Sequence, residues 1–169
     1  MPVTIEHIRP EHIEGFNRAV DVVARERKYL AFLEGPPLAM SRNFVLNNIA
    51  NGNPQFVALS GDDVVGWCDV TRFTRPLHAH GGTLGMGLLP AFRGQGLGRS
   101  LIETTLADAR RFGLTRIELT VHAGNERAIA LYERAGFKTE GVKKDAVLID
   151  ASYTDVILMA IVWRLDNAA

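Results

Sequence analysis

The stretch LLPAFRGQGLGRSLI, residues 88–102, restricts the fold more than any other part of the chain. An apolar run enters it, Arg93 and three alternating glycines form its middle, and a helical pattern leaves it. Glycine loses more backbone freedom on folding than any other residue, so Gly94, Gly96 and Gly98 in one turn need a reason. Either the turn requires backbone angles that other residues avoid, or something approaches its bare amides. The second reading has chemistry behind it. The first turn of a helix has N–H groups without intrahelical partners and carries the positive end of the helix dipole. A glycine-rich entry lets a phosphate come within hydrogen-bond range of those amides, and Arg93 adds a fixed positive charge. Two common phosphate loops fail on spacing. A nucleoside-triphosphate loop needs Lys-Ser/Thr after its last glycine, where Arg99-Ser100 stands here. A dinucleotide fingerprint spaces its glycines G-x-G-x-x-G, whereas this turn reads G-x-G-x-G after four strands.

The segments around the turn have clear periods. VTIEHI alternates as a first strand, and Ile13, Phe16, Val20 and Val23 are spaced for an amphipathic helix within residues 11–29. Pro36 and Pro37 break that helix, and Pro37 can start a second one carrying Phe44, Val45, Leu46 and Ile49 and ending near NGNP. QFVALS and VVGWCDVTRF flank a Gly-Asp turn as a hairpin, and GGTLGMGLL is a further strand. A helix is expected from Gly96 to Phe112, then a strand at RIELTV. NERAIALYERA reads as a short helix with Asn125 as N-cap and Gly136 as its stop. Two strands, around FKTEGVKKDAVL and YTDVILMAIVW, close the chain. The order β-α-α-β-β-β-α-β-α-β-β predicts a mixed α/β fold, with helices on both faces of a central sheet.

At 169 residues the chain is expected to be one domain, residues 1–169. Lys plus Arg number 19 and Asp plus Glu 19, which offers no general pull toward nucleic acid or acidic membranes, so neither is expected as a partner. The one cysteine, Cys68, excludes an internal disulfide and a multi-cysteine metal site. His78 and His80 alternate on one extended segment without a third or fourth ligand, so no metal is expected. MPVTIEHIRP lacks the apolar core of a signal peptide, and VILMAIVW (156–163) is too short to span a bilayer. A cytoplasmic protein is the expectation.

The Arg-x-x-Gly-x-Gly spacing of Arg93, Gly96 and Gly98 resembles the GCN5-related N-acetyltransferase (GNAT) family. So does the downstream Asn-x-x-Ala…Leu-Tyr…Gly-Phe pattern in RIELTVHAGNERAIALYERAGF, and the resemblance extends over roughly residues 3–163. It implies the GNAT fold, with a mixed, mostly antiparallel sheet, and acetyl-CoA as co-substrate. Arg93, Gly94, Gln95, Gly96, Leu97 and Gly98 would then cradle the pyrophosphate. Backbone groups of Leu88 and its neighbours would take the pantetheine amides, on an edge splayed between GMGLL and IELTV. Asn125 matches the family's cofactor-contacting asparagine, and it reads equally as a plain helix cap. Tyr132 falls at the family's proton donor toward the CoA sulfur, the alternative being a ring packed on the core. A phenol of pKa near 10 stays protonated at neutral pH and can donate to a thiolate.

Direct attack of an amine on the thioester also needs a base. Many relatives carry Glu where Thr83 stands here, and threonine cannot accept an ammonium proton at neutral pH. His80, His122, Asp69, Glu118 or a water relay are the candidates, and the sequence does not choose among them. Cys68, mid-strand in VVGWCDV, reads as a small buried residue rather than a nucleophile. For the acceptor, the resemblance points to the segment linking the first two helices, with Tyr29, Leu30 and Phe32 as walls and Trp67 and Phe73 as additions. The C-terminal half looks most like bacterial L-amino-acid N-acetyltransferases, which implies a small-molecule amine acceptor. A phosphinothricin-type detoxifying enzyme, a protein or peptide N-acetyltransferase, and a non-catalytic CoA-binding regulatory module are the competing readings. A homodimer is implied by the resemblance alone.

Overall fold

The computed structural model describes residues 2–164. Its elements are β1 (Val3–His7), a 3-10 turn (Pro10–His12), α1 (Ile13–Arg25), α2 (Leu38–Asn51), β2 (Gln55–Ser60), β3 (Asp63–Arg72) and β4 (Gly81–Leu88). They continue with α3 (Leu97–Arg111), β5 (Arg116–His122), α4 (Glu126–Ala135), β6 (Lys138–Ile149) and β7 (Ser152–Val162). The sequence order of strands and helices is the one the periodicities predict. The strands form one seven-stranded sheet in the order β1-β2-β3-β4-β5-β7-β6. Every pairing is antiparallel except β4 with β5.

Helices cover both faces. On one, Leu101, Ile102, Leu106 and Ala109 of α3 and Tyr132 of α4 pack against Cys68, Val70, Leu84, Ile117 and Leu119. On the other, Ile13, Phe16, Val20 and Val23 of α1 and Val45 of α2 pack against Val57, Leu59 and Trp67. β2 therefore buries side chains on both sides, which explains its nearly unbroken apolar run.

The helices differ from the pattern in two places. α1 stops at Arg25 rather than near Tyr29, because Arg27 adopts the left-handed conformation (φ +57°) and ends the ladder. α2 starts after Pro37 and ends at Gly52 in the left-handed conformation, as its punctuation suggests. Its inward face, however, is Ser41, Val45 and Asn48, while Leu46 and Ile49 are 41% and 42% exposed. The inward contacts are polar: Asn48 Nδ2 donates to Gln55 Oε1 at 2.9 Å and Asn17 Nδ2 donates to Ser41 Oγ at 2.8 Å. Apolar residues all round this helix gave periodicity no side to choose.

Trp67 is buried beneath β4, edge-on to Phe16 with ring centroids 5.8 Å apart. The indole lies where a side chain at Gly87 would begin, so a Cβ there would fall inside van der Waals contact with the ring. Phe16 behind the indole leaves it no room to retreat. Gly87→Ala should therefore cost about 1–3 kcal/mol of stability, the usual cost of overpacking, as measured by urea unfolding.

Candidate active site

The one parallel pairing creates the site. β4 and β5 pair only at Gly81–Arg116, Gly82–Ile117 and Thr83–Glu118. Beyond that point β4 stays bonded to β3 as far as Leu88, and β5 stays bonded to β7 as far as His122. The two strands thus splay, as the sequence leads one to expect, and residues 84–88 present an unpaired edge. A cleft of ≈ 550 Å³ fills the opening. One wall is β4 from Leu84 to Leu88, and the other is Thr120 and Val121 of β5. Asn125, Arg127, Ala128, Leu131 and Tyr132, at the start of α4 and along it, close one side. Tyr29, Leu30 and Ala31 roof it.

The glycine turn stands at the mouth. Gly94 and Gly96 have φ of +74° and +82°, and a Cβ at either would meet nothing within 4 Å. Both demand glycine for backbone angle, and both face open space, which leaves room for a ligand at the turn. Gly96 caps α3 with no side-chain bond, which leaves the first-turn amides free for a ligand. Gly94, Gln95 and Gly96 are exposed, Leu97 is half-buried, and Gly98 reaches the cleft wall. The Gln95 side chain is tied back, its Nε2 donating to the Ala91 carbonyl at 2.9 Å. A pyrophosphate fits this cradle on shape, open amides and dipole.

Arg93 departs from its expected place. It borders the cleft, but its guanidinium turns to Glu26, with Nη1 donating to Oε2 at 2.9 Å and Nη2 bonding Oε1. Nε donates to the Leu88 carbonyl at 3.0 Å, and the group stacks 4.9 Å above the Tyr29 ring. A guanidinium so engaged is not a free charge at the turn. It joins the turn to the segment between α1 and α2, and it occupies one backbone oxygen of Leu88. Glu26 and this linkage escaped the sequence reading, since two residues 67 apart carry no local signal of each other.

That segment, residues 26–37, has no regular structure but is pinned along its length. Arg27 pairs with Asp150 of the β6–β7 turn at 2.7 Å, and the Lys28 carbonyl bonds His122 Nδ1 at 2.8 Å. Gly35 N–H donates to Asp21 Oδ1 and Asn17 Nδ2 donates to the Pro36 carbonyl, both at 2.8 Å. Tyr29 and Leu30 lie on the cleft, as expected. Phe32 does not: it is 52% exposed and outside the cleft, because the pinned segment turns it outward. Trp67 is a core residue, and Phe73 lies on a separate shallow hollow with His78 and Glu118.

Asn125 does form its cap, Oδ1 accepting from the Ala128 N–H at 3.3 Å, and it also lines the cleft. Tyr132 is 8% exposed, tilted against Phe137 at 5.9 Å, and burial pushes its phenol well above the usual range. Cys68 is fully buried and burial raises its thiol likewise, so no thiolate forms at neutral pH. His80 is exposed, at the far end of β4. Glu118 is paired with Arg116 at 3.1 Å. Thr83 is exposed and pairs with Thr71 and Glu118 across the sheet. Among the described residues, no group of three or more His, Cys, Asp and Glu is placed to hold a metal, and no helix is long and apolar enough to cross a membrane.

A profile of the acetyltransferase (GNAT) family matches residues 22–137, from the end of α1 to the start of β6. The chain belongs to this family. An L-amino acid N-acetyltransferase of Escherichia coli, AaaT, is 31% identical over 110 residues, 64% of this chain and 68% of that protein. A mycothiol acetyltransferase of Propionibacterium freudenreichii is 42% identical over 52 residues, and the match spans only 17% of that protein's length. A phosphinothricin acetyltransferase of Sinorhizobium meliloti, solved in complex with AcCoA, shares the fold with a TM-score of 0.91 at 19% identity. That superposition covers 100% of this chain and 92% of the other. The splayed β4–β5 pair and the glycine entry to α3 thus belong to a GNAT domain. Arg127 and Thr120 are cleft residues of this domain that the sequence reading passed over.

Proposed function

We propose that the protein transfers the acetyl group of acetyl-CoA to the primary amine of a small molecule, by direct attack of the amine on the thioester. The observation that carries this reading is the cleft itself. It has an unpaired strand edge along one wall, uncapped helix amides at its mouth and a protonated phenol inside. When bound, acetyl-CoA supplies an activated acyl carbon and a thiolate leaving group. The open edge of β4 and the amides of Leu97 and Gly98 hold the pantetheine and the pyrophosphate. Tyr132 donates a proton toward the sulfur. The roof formed by Tyr29 and Leu30, one aromatic and one aliphatic, suits an acceptor with an apolar part, and free L-amino acids are the first class to try. The reading treats residues 3–163 as one catalytic unit and places the protein in the cytoplasm; the homodimer it includes rests on the family resemblance and is measurable by light scattering.

The test is thiol release from acetyl-CoA over a panel of L-amino acids, phosphinothricin, polyamines and short peptides. A selective response, with a product heavier by about 42 Da, the acetyl increment, is expected with one acceptor class. Binding of acetyl-CoA without thiol release on any amine would overturn the enzyme reading in favour of a CoA-binding regulatory module.

A further inference from the structure

β3 runs beside β4 on the side away from the splay, and alternation puts Trp67, Asp69 and Thr71 on the α1–α2 face together with Thr83, Gly85 and Gly87. Asp69 is 7% exposed and stands opposite Gly85 in the ladder. Gly85 is part of the cleft wall. A methyl group added there would stand 3.6 Å from Asp69 Oδ1 and 3.7 Å from Oδ2, so the missing side chain leaves the carboxyl group next to the cleft.

The surroundings of Asp69 hold no cation. Opposite it on β2 is Gln55, 1% exposed, whose Oε1 is taken by Asn48 of α2 and whose Nε2 has no partner among the described residues. The α1 residues above this face, Phe16, Val20 and Val23, are apolar. Thr71 and Trp67 flank it on its own strand, and Thr83, Gly85 and Gly87 face it from β4. Cys68, next in the chain, points to the opposite face as a neutral thiol. A carboxylate on the same face, Glu118 on β5, is ion-paired with Arg116, which also holds Glu140. Burial alone therefore acts on Asp69, and it lifts the carboxyl to about 7. Such a group is an acceptor for an ammonium proton near neutral pH.

We propose that Asp69 is the general base of the acetyl transfer, reaching the acceptor through the gap at Gly85. The proposal rests on the acetyltransferase reading above. In the step, the acceptor ammonium gives one proton to the Asp69 carboxylate, and its freed lone pair forms the C–N bond to the acyl carbon. The C–S bond breaks, the electron pair leaves with sulfur, and the thiolate takes a proton from Tyr132. Asp69 then returns its proton to solvent, the acylated nitrogen sheds its second proton to solvent to leave the neutral amide, and Tyr132 is reprotonated from solvent.

The alternatives are occupied or distant. His122 holds the Lys28 carbonyl through Nδ1 and stands outside the cleft lining, Glu118 is ion-paired, and His80 lies at the start of β4, beyond the apex of the splay. Thr83 has no basic atom.

The experiment compares wild type with Asp69→Asn in three measurements. With the acceptor found in the panel, kcat/KM near pH 7.5 is expected to fall by about 10²–10⁴-fold. The wild-type inflection near neutral pH should disappear, and the deficit should shrink as pH approaches the acceptor's own pKa. The Kd for acetyl-CoA should stay unchanged. The third measurement needs no acceptor: melting temperature against pH. A carboxyl raised by the fold binds its proton more tightly in the native state than in the unfolded one. Its stabilisation is complete below the unfolded pKa near 4 and is lost as pH rises to about 7. Asp69→Asn should therefore melt like wild type near pH 4 and higher than wild type above pH 7. Turnover within threefold of wild type with an unchanged pH profile overturns the base assignment while leaving the acetyltransferase reading intact. So does a variant that loses activity but melts lower than wild type above pH 7, since that is a structural role. Silence of the wild type on every amine removes the reading and the base together, whatever the melting curves show.

Discussion

Tyr132→Phe is expected to lower kcat by about 10²–10³-fold while leaving the Kd for acetyl-CoA within about twofold of wild type. The variant removes one oxygen from a ring whose packing is otherwise set by Phe137 and the α4–sheet interface. Stability should change by less than about 1 kcal/mol, since the ring volume is retained. The physical case lies in the burial of the phenol, which stands 8% exposed on the cleft, with no cation to favour its ionised form. It is therefore fully protonated at working pH, and a donor of that kind is useful only to a group that becomes negative during the reaction. A thiolate, with its conjugate acid near 8.5 by analogy with cysteine, is such a group. Single-turnover thiol release, with affinity measured separately by calorimetry, isolates the effect. Wild-type turnover in the variant would leave Tyr132 as a packing residue and return protonation of the sulfur to solvent.

Gly96→Ala and Gly113→Ala form a matched pair with opposite outcomes at the cofactor. Each places a Cβ in open space at positive φ, +82° at Gly96 and +99° at Gly113. Each should cost about 1–2 kcal/mol in stability, the penalty for a side chain in the left-handed region. Gly113 lies in the turn between α3 and β5, away from the cleft, so its variant should bind acetyl-CoA as wild type does. Gly96 caps α3 where the uncapped amides point outward. If the turn relaxes toward ordinary angles, one or two charge-assisted bonds to phosphate are lost, each worth about 1.5–3 kcal/mol. Affinity for acetyl-CoA should then fall at least about tenfold. Equal affinities in the two variants would mean that the glycines serve the turn alone and that the pyrophosphate binds elsewhere.

The fold and the site were legible to different depths. RGQGLG between an apolar run and a helical period announces its geometry locally, because left-handed angles and bare amides are properties of a few consecutive residues. Asn125 three residues before an amide it caps, and Gly136 after the last turn of α4, are visible for the same reason. The apolar runs of β2 and β3 on either side of Gly61 likewise mark the hairpin locally.

The errors share another cause. Phe32 looked like a pocket wall because it is aromatic and lies between two helices. Its direction is set by bonds from Asp21, Asp150 and His122, residues scattered along the chain. Arg93 looked like a phosphate ligand, and Glu26, at the end of α1, claims its guanidinium. Asp69 was one of five possible bases, and its register opposite Gly85 is what sets it apart. Local sequence is enough for helix starts, strand periods and the glycine turn, since those depend on backbone angles and on contacts within a few residues. Pair register, charge partners and the side of a strand that opens on the cleft depend on segments as much as 123 residues apart, which meet only when the sheet is assembled and the parallel pair splays.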